Sequence, residues 1–384
     1  MDRVAWLMLV GDRVKYVGIV CGISFAAFLI TQQASIFFGL LSRTYGFVTD
    51  CGHADLWICD PKVQFIDDIK PMQDTELYRV RSLPGVAWAT PLYKGLLRAR
   101  LADGNFQTCN LIGLDDATLT GGPPVLTAGR LVDLRQSDAV IVDEGGANGK
   151  FARHLPDGRK VPLTVGDTIE LNDHRAVVVG ICQVSRTFQS NPVVYTTFAR
   201  ATAFVPRERK LLSFILAGIT PGFSSDTVCA TVAEHTGLAA YPREEFKSKT
   251  FWYYIQNTGI PINFGISVLL GFIIGTAIAG LLFYQFTTDN LRYWGALKAM
   301  GASHGTLLRM VLLQALVVGA LGYGLGVGMA ALFGWMTSKS ELAFLLLPWL
   351  LLVTAAAVLV IVLLAALLSL WKVLRLEAAV VFRG

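Results

Sequence analysis

The pentapeptide Gly301-Ala-Ser303-His-Gly305 is the segment that most resembles a catalytic motif, because it matches the G-x-S-x-G pattern of a hydrolase nucleophile elbow. That motif needs a strand before the serine and a helix after it, within an α/β sheet that exposes the hydroxyl group. Here an amphipathic segment precedes the serine and a long apolar stretch follows it. We therefore interpret the motif as a turn between two helices, in which Gly301 ends the first helix and Ser303 caps the second.

A second glycine-rich segment, 145–150, resembles a phosphate-binding loop only in composition. The pattern G-x-x-x-x-G-K-[ST] is broken, because Glu144 occupies the position of the first glycine and Phe151 the position of the hydroxyl residue. Two pairs of adjacent carboxylates, at 115–116 and 143–144, fall in predicted turns, where solvated or capping side chains are usual. The sequence therefore predicts no catalytic residues, no cofactor and no ATP site in this chain.

Apolar stretches dominate the composition: 53% of the residues are hydrophobic and 16% are charged, which is too apolar for a soluble chain of this length. Four uncharged stretches, 16–41, 262–284, 310–335 and 342–370, each exceed the ~20 residues that cross a bilayer as a helix. The first is far longer than the ~7–15 apolar residues of a signal peptide and lacks a small-x-small cleavage site. We therefore predict four membrane helices, the first of them an uncleaved anchor.

Basic residues collect on one side of these spans. They precede the first span, separate the second from the third and follow the fourth: Arg3, Arg13, Lys15, Arg292, Lys298, Arg309, Lys372, Arg375 and Arg383. The loop between the third and fourth spans contains only Lys339. Because basic flanks are retained in the cytoplasm, we predict both termini in the cytosol, the large domain outside it, and a location in the cell inner membrane. The net charge of +5 then reflects these flanks, and we predict no nucleic-acid partner.

The predicted organisation follows from these spans. It comprises a cytosolic interfacial helix (1–15), the first membrane helix (16–42), a periplasmic domain (43–250), a stalk with the second membrane helix (251–284), a cytosolic coupling segment (285–308), the third membrane helix (309–336), a periplasmic loop (337–341), the fourth membrane helix (342–371) and a cytosolic tail (372–384). Aromatic residues at 251–254 suit a membrane interface, and Gly259 with Pro261 predicts a bend above the second span.

The outer segment predicts an α+β domain. A strand, a helix and a strand are expected at 54–59, 74–83 and 86–93, and the same order recurs at 213–219, 225–235 and 238–241. The intervening residues are predicted to form short strands with tight turns, beginning with 94–101. The predicted fold is thus an α-helical membrane protein with two βαβ-like units and an inserted β-rich lobe outside the membrane.

Cysteines Cys51 and Cys59 are close enough in sequence to form a disulfide bond in an oxidising compartment, and His53 lies between them. No fourth ligand follows at zinc spacing, so we predict no metal site. Unpaired thiols and a disulfide remain alternatives.

Small residues line the second and third spans. Gly271 and Gly275 form one G-x-x-x-G pair, and Gly322 with Gly326 forms another, overlapped by a pair at 324 and 328. Such pairs allow close helix packing, within one chain or between two chains. The absence of Asp, Glu, Lys and Arg from the four stretches argues against an ion relay through the membrane.

An amphipathic helix is predicted between the second and third spans. Leu291, Trp294, Leu297 and Lys298 recur at i, i+3 and i+4 spacings on one side. We expect this side to contact a partner, with Trp294 as the anchor, since buried aromatic side chains dominate many interfaces.

The segment from Leu291 to Ser303, LRYWGALKAMGAS, resembles the cytosolic segment of MacB/FtsX-type ABC permeases, where an Arg-containing helix with the pattern L-x-x-x-G-A-S precedes the third membrane helix. The C-terminal residues 375–383 resemble the family's closing R-L-D-P-x-E-A-L-R, with Glu377 for the acid and Ala378 where proline is usual. Residues 54–57, 85–86, 113–115, 165–167 and 179–180 also resemble the family, especially its DevC-like branch. The resemblance covers nearly the whole chain.

This resemblance implies a permease that forms a homodimer within membrane lipids and associates with a separate ABC ATPase. ATP-driven motion would pass by mechanotransmission through the coupling segment, with roles for Leu291, Arg292, Trp294, Leu297, Lys298, Gly301 and Ser303. A periplasmic membrane-fusion adaptor and an outer-membrane channel complete such machines in related branches. The implied function is export of a lipid, glycolipid, peptide or other amphiphile. The alternatives are an FtsX-like transducer that activates a periplasmic cell-wall hydrolase, and a lipoprotein-releasing permease.

Overall fold

The computed structural model describes residues 2–155, 159–205, 212–338 and 340–374. The chain forms two compact units: a helical unit of Met1–Leu40 and Gly259–Gly384, and a globular unit of Leu41–Thr258. Lys339 and the tail from residue 375, which includes the predicted C-terminal family motif, lie outside the described residues.

The helices are α1 (Asp2–Gly11), α2 (Arg13–Thr44), α3 (Gly46–Asp50), α4 (Thr75–Arg81), α5 (Glu144–Asn148), α6 (Phe198–Phe204), α7 (Ser225–Thr236), α8 (Arg243–Asn257), α9 (Ile260–Asp289), α10 (Leu291–Ala299), α11 (His304–Met336) and α12 (Pro348–Leu374). The strands are β1 (Leu56–Cys59), β2 (Val86–Arg100), β3 (Phe106–Leu114), β4 (Val125–Ala128), β5 (Ala139–Asp143), β6 (Arg153–His154), β7 (Lys160–Val161), β8 (Thr168–Leu171), β9 (His174–Gln183), β10 (Val193–Thr197), β11 (Phe214–Ile219) and β12 (Ala239–Pro242).

Four helices, α2, α9, α11 and α12, are long and apolar enough to cross a membrane. The shortest qualifying stretch, Pro348–Leu370, has 23 residues, above the ~20 that span the hydrocarbon layer. A helix suits lipid because it satisfies its backbone hydrogen bonds within one segment. The helical part of the predicted fold class is therefore confirmed.

The helix α1 packs into the core of the helical unit by one face. Its Ala5 and Leu9 are fully buried, and Gln314 Nε2 of α11 donates a hydrogen bond of 2.8 Å to the carbonyl oxygen of Ala5. The opposite face exposes Trp6 and Leu7. An exposed apolar face on a short helix is compatible with the predicted position in a membrane interface.

The predicted stalk is interrupted. Thr258 has extended backbone (φ −127°, ψ 155°), so α8 ends at Asn257, and α9 begins at Ile260 with Pro261 in its first turn. Proline is favoured there because its missing N–H would be unpaired in any case. The aromatic residues 251–254 therefore belong to α8 of the globular unit rather than to the second apolar helix.

The globular unit contains a ten-stranded sheet in the order β12-β1-β11-β2-β3-β10-β5-β9-β4, with β8 paired to β2 and β9. The strands β12, β1, β11 and β2 pair antiparallel. The helix α4 connects β1 to β2, and α7 connects β11 to β12. In the sheet, β11 lies between β1 and β2, and β1 lies between β11 and β12, so the two βαβ-like units interleave. This split βαβ arrangement confirms the two predicted α/β units.

The long strand β2 joins the two lobes of the globular unit. The sequence predicted two strands, 86–93 and 94–101, but the structure has one 15-residue strand. Residues 86–92 pair with β11, whereas residues 93–100 pair with β3 of the inserted β-rich lobe. The inserted lobe is therefore continuous with the main sheet, because cross-strand hydrogen bonds extend along the whole of β2.

An aromatic cluster attaches α8 to the sheet. The fully buried Trp57 of β1 stacks on Phe246 of α8 with ring centroids 5.5 Å apart, and Phe214 of β11 meets Trp57 edge-on at 5.6 Å. Such pairs contribute about 0.5–1.5 kcal/mol each beyond the area they bury. This packing fixes the direction of α8 over the sheet.

Candidate functional site

The predicted coupling segment is a short helix that ends in a well-defined turn. The helix α10 ends at Ala299, and the turn that follows contains Gly301, whose φ of 93° suits a residue without a side chain. Gly301 N donates to the carbonyl oxygen of Lys298 and Ala302 N donates to that of Leu297, the hydrogen-bond pattern of a Schellman motif. Ser303 Oγ then accepts from Thr306 N at 3.3 Å and caps α11.

The serine motif is therefore a helix–turn–helix connection, as the sequence analysis predicted. A helix, rather than a strand, precedes Ser303, and its hydroxyl group lies 3.0 Å from that of Thr306. Among the described residues, no group of three or more His, Cys, Asp and Glu side chains is arranged to hold a metal ion.

The apolar side of α10 faces its own chain. Trp294 is fully buried and Leu297 is 7% exposed, both within the core of the helical unit that also contains Phe286 and Met310. This placement argues against Trp294 as the anchor for a partner, because its ring is already buried in the helical unit of its own chain; its role in ATPase coupling stays a prediction. The reason is physical: periodicity shows which side is buried, but it does not show which molecule buries it.

The opposite side of α10 exposes a different set of side chains. Tyr293 is 63% exposed and Met300, immediately after the helix, is 74% exposed. Ala296 is also exposed and completes an i, i+3, i+7 row with these two residues. Sequence analysis missed this row, which we call the outward face, because it is less apolar than the row containing Trp294. Arg292 is exposed beside the outward face, and Leu291 and Lys298 are half-buried.

Ion pairs connect the ends of the helices beside α10. Lys15 Nζ lies 2.9 Å from Asp12 Oδ2 and forms a second ion pair with Asp289, the last residue of α9. Exposed pairs of this kind contribute only ~0–1 kcal/mol. Their effect is mainly to position the end of α9 against the beginning of α2.

The four predicted packing glycines contact α2 of the same chain. An added Cβ would lie 2.3 Å from Ala26 Cβ at Gly275 and 3.3 Å from Leu29 Cβ at Gly271. A Cβ added at Gly322 or at Gly326 would likewise lie 2.6 Å or less from atoms of α2. Glycine therefore permits α9 and α11 to approach α2 more closely than any larger residue would. At 324 and 328, an added Cβ meets no atom within 4 Å.

The paired carboxylates of the globular unit stabilise local turns. Asp115 Oδ2 accepts a hydrogen bond of 2.8 Å from Thr118 N, and Asp143 Oδ2 accepts one of 2.8 Å from Gly146 N at the start of α5. Burial raises the pKa of Asp143, although its hydrogen bonds from Val193 N and Gly146 N oppose that effect. The glycine-rich segment that follows is thus a capped helical turn and not a phosphate loop.

The cysteine alternatives are also decided. All six cysteines are unpaired, and Cys51 and Cys59 are buried in the globular unit. Burial raises the pKa of Cys59 to about 12, so its thiol is protonated and unreactive at neutral pH. Cys51 Sγ donates a hydrogen bond of 3.5 Å to the carbonyl oxygen of Gly121.

Comparisons with known proteins agree with this architecture. Residues 17–234 match the MacB-like periplasmic core domain, and residues 265–378 match the FtsX-like permease C-terminal domain. Two uncharacterized ABC transporter permeases, from two strains of Mycobacterium tuberculosis, are each 25% identical over 290 residues, which are 72% of this chain and 71% of theirs. The periplasmic region of MacB from Actinobacillus actinomycetemcomitans is 16% identical with a TM-score of 0.38, over 55% of this chain and 96% of that one.

Proposed function

This chain belongs to the MacB/FtsX-type permeases of ABC transporters, and we propose that it exports an amphiphile by coupling a separate ATPase to its globular unit. The family supports a permease subunit in a membrane, with ATP hydrolysis in another protein. A lipid, a glycolipid, a peptide or a similar molecule is the proposed cargo. The two termini and α10 lie in the cytosol in this proposal, and the permease functions as a homodimer with an adaptor and an outer channel.

The observation that carries the proposal is the two-sided burial of α10. Trp294 and Leu297 attach its inner side to the core of the helical unit, whereas Tyr293 and Met300 remain exposed on the outward face. The capped turns at Gly301 and Ser303 leave little slack between α10 and α11. A force applied to the outward face is therefore transmitted to α9 and α11 rather than absorbed by a loose loop.

Chain continuity extends this route towards the globular unit. Only Thr258 and Gly259 separate α9 from α8, and α8 is attached to the sheet through Phe246. A displacement of α9 along its axis thus acts on α8 through two residues. This mechanotransmission requires no polar path through the apolar helices, and the four apolar stretches contain no Asp, Glu, Lys or Arg.

Copurification with the cognate ATPase tests the outward face. Tyr293→Ala should weaken ATPase binding about tenfold or more, because truncating an interface aromatic side chain often costs ~2 kcal/mol. Tyr78→Ala is the matched control, since Tyr78 is 66% exposed but lies on α4 of the globular unit. Unchanged ATPase binding by Tyr293→Ala, or an equal loss in Tyr78→Ala, would remove the outward face from the interface.

A crosslink at Gln256 tests the proposed motion of the globular unit. Gln256 is exposed on α8, two residues before the helix break. If Gln256→Cys forms a disulfide between the two subunits of a dimer, oxidation should stop release of the exported amphiphile and reduction should restore it. Dimers that crosslink fully and still export would contradict the mechanism. A change in cell-wall hydrolase activity without any change in an extruded molecule would replace export with signalling.

A further inference from the structure

A cavity of about 550 Å³ lies in the globular unit, where β2 changes its partner from β11 to β3. Its walls come from the loop after β1, from β2 and β3, from the loop before β10, and from α8. Ligand sites for drug-sized molecules typically occupy ~300–1,000 Å³. The residues assigned to ATPase coupling and to helix packing do not line this cavity.

One wall of the cavity is aromatic. Tyr254 of α8 lies between Phe65 and Phe188, with ring centroids 5.5 Å and 5.1 Å away. Ile69 and Leu96 add aliphatic surface to the lining. This aromatic wall favours the apolar body of a ligand over water, because apolar surface gains about 25 cal/mol per Å² when it leaves water.

Two largely buried side chains in the lining carry polar groups with unused hydrogen-bonding capacity. Asn110 of β3 is 7% exposed and Tyr254 is 8% exposed. Within the described part of the chain, neither the carboxamide group of Asn110 nor the hydroxyl group of Tyr254 has a hydrogen-bond partner, and neither group is closed off from solvent. Both groups are therefore accessible in the cavity and available to hydrogen-bond a ligand or water.

The charges in the lining cancel. Lys94 of β2 is 6% exposed and forms an ion pair with Asp67, and these two residues are the only charged ones in the described lining. A charged ligand would lose its hydration without gaining an unpaired counter-charge, which makes its burial unfavourable. The cavity therefore suits a molecule without net charge.

We propose that this cavity binds a neutral amphiphile, whose apolar body lies against Phe65, Tyr254 and Phe188 and whose uncharged amide, carbonyl or hydroxyl group bonds to Asn110 and Tyr254. The carboxamide group donates and accepts, as does the phenol, so both kinds of head group find a partner. The proposal goes beyond the coupling function and is independent of it, because it concerns equilibrium binding to the globular unit. Loss of ATPase binding would leave it intact.

Photolabelling of the full chain in phosphatidylcholine nanodiscs tests the proposal. The probe is hydroxymethyl-benzophenone, a neutral aromatic molecule with a carbonyl and a hydroxyl group, and labelled peptides are identified by mass spectrometry. We expect saturable labelling of peptides from 65–71 and 187–191. Labelling of α2, α9, α11 and α12 through the lipid should rise linearly with probe concentration and serves as an internal reference. Labelling confined to these helices would overturn the proposal.

Two variants locate the site. Asn110→Leu keeps the shape of the side chain but removes its hydrogen bonds, and should weaken saturable labelling about fivefold to tenfold. Leu96→Trp narrows the cavity from a position that is 48% exposed, and should abolish saturable labelling. Val125→Trp is the matched control, because Val125 is a strand residue, 51% exposed, outside the lining. Wild-type labelling in both cavity variants would refute the assignment of the cavity.

Competition tests the charge preference. Decanamide should displace the probe at least about tenfold better than decanoate or decyl-trimethylammonium, because only the charged head groups lose hydration without compensation. Equal or better displacement by either ion would overturn the proposal of a neutral ligand.

Discussion

Asp67→Asn should destabilise the globular unit more than Lys94→Met, although both substitutions break the same ion pair. The side chain of Lys94 is 6% exposed, whereas that of Asp67 is 43% exposed. Removing the carboxylate leaves a buried ammonium group without its counter-charge. Removing the ammonium group leaves a carboxylate that water already solvates.

The expected magnitudes follow from this asymmetry. Breaking a buried pair by removing one partner costs about 3–5 kcal/mol, so we expect about 3 kcal/mol for Asp67→Asn, since the cavity gives water some access to the ammonium group. Lys94→Met should cost about 0–1 kcal/mol, because methionine retains most of the buried stem. The double variant should lie within about 0.5 kcal/mol of Lys94→Met, since its buried site carries no charge.

Hydrogen exchange measured by mass spectrometry resolves these effects within the full chain. Peptides from β2 and β3 report the opening free energy of the strands on either side of the cavity. Peptides from α11 belong to the helical unit and should exchange at the same rate in all variants. Lys94 N donates a hydrogen bond of 3.0 Å to Ser213 Oγ, and Ser213 Oγ donates one of 3.1 Å to the carbonyl oxygen of Lys94. Neither bond involves a substituted side chain, so both remain available in all variants.

Two results would refute the reasoning. A larger loss in Lys94→Met than in Asp67→Asn would show that the lysine is not a buried cation that depends on Asp67. A double variant less stable than Asp67→Asn would show that the two side chains act independently, because removing the second charge should relieve the first defect.

Three further outcomes are expected. Gly326→Ala should lower the thermal unfolding temperature in detergent, because its Cβ would lie 2.5 Å from atoms of α2. Gly324→Ala, whose Cβ would meet no atom within 4 Å, should leave the unfolding temperature equal or higher. An equal decrease in both variants would contradict this packing. Iodoacetamide should alkylate Cys229 about tenfold faster per pH unit between about pH 7 and about pH 10, because burial raises the pKa of its thiol to about 11. An alkylation rate that stops rising before about pH 10 would contradict the raised pKa. In spheroplasts, an impermeant thiol reagent should label Ser340→Cys but not Gly305→Cys, and the reverse would invert the proposed topology.

Several features of this protein were predictable from local sequence. The four apolar helices follow from length and from the absence of charge, because lipid leaves a polar backbone no partner outside its own helix. Gly301 and Ser303 identify a helix end and a helix start, since positive φ and N-capping are properties of single residues and their immediate neighbours. The two α/β units were recognisable for the same reason, as each is a strand, a helix and a strand in succession.

The pairing of the strands was not predictable in this way. The boundary drawn near residue 93 assumed that β2 ended with its first lobe. Instead, one strand continues with a second partner, because β11 and β3 present free edges to successive parts of it. Nothing in the local pattern of β2 distinguishes a strand with one neighbour from a strand shared by two lobes.

The groups that cover or pair with a buried side chain were not predictable from local sequence either. The sequence by itself determined that Trp294 lies on the apolar side of its helix and that Lys94 lies in a strand. Only the tertiary structure decided that Trp294 is covered by its own chain, leaving Tyr293 and Met300 outside, and that Lys94 meets Asp67 beside a cavity. Periodicity depends on neighbours along the chain, whereas the group that covers a side chain or pairs with its charge comes from distant segments, and only folding brings those together.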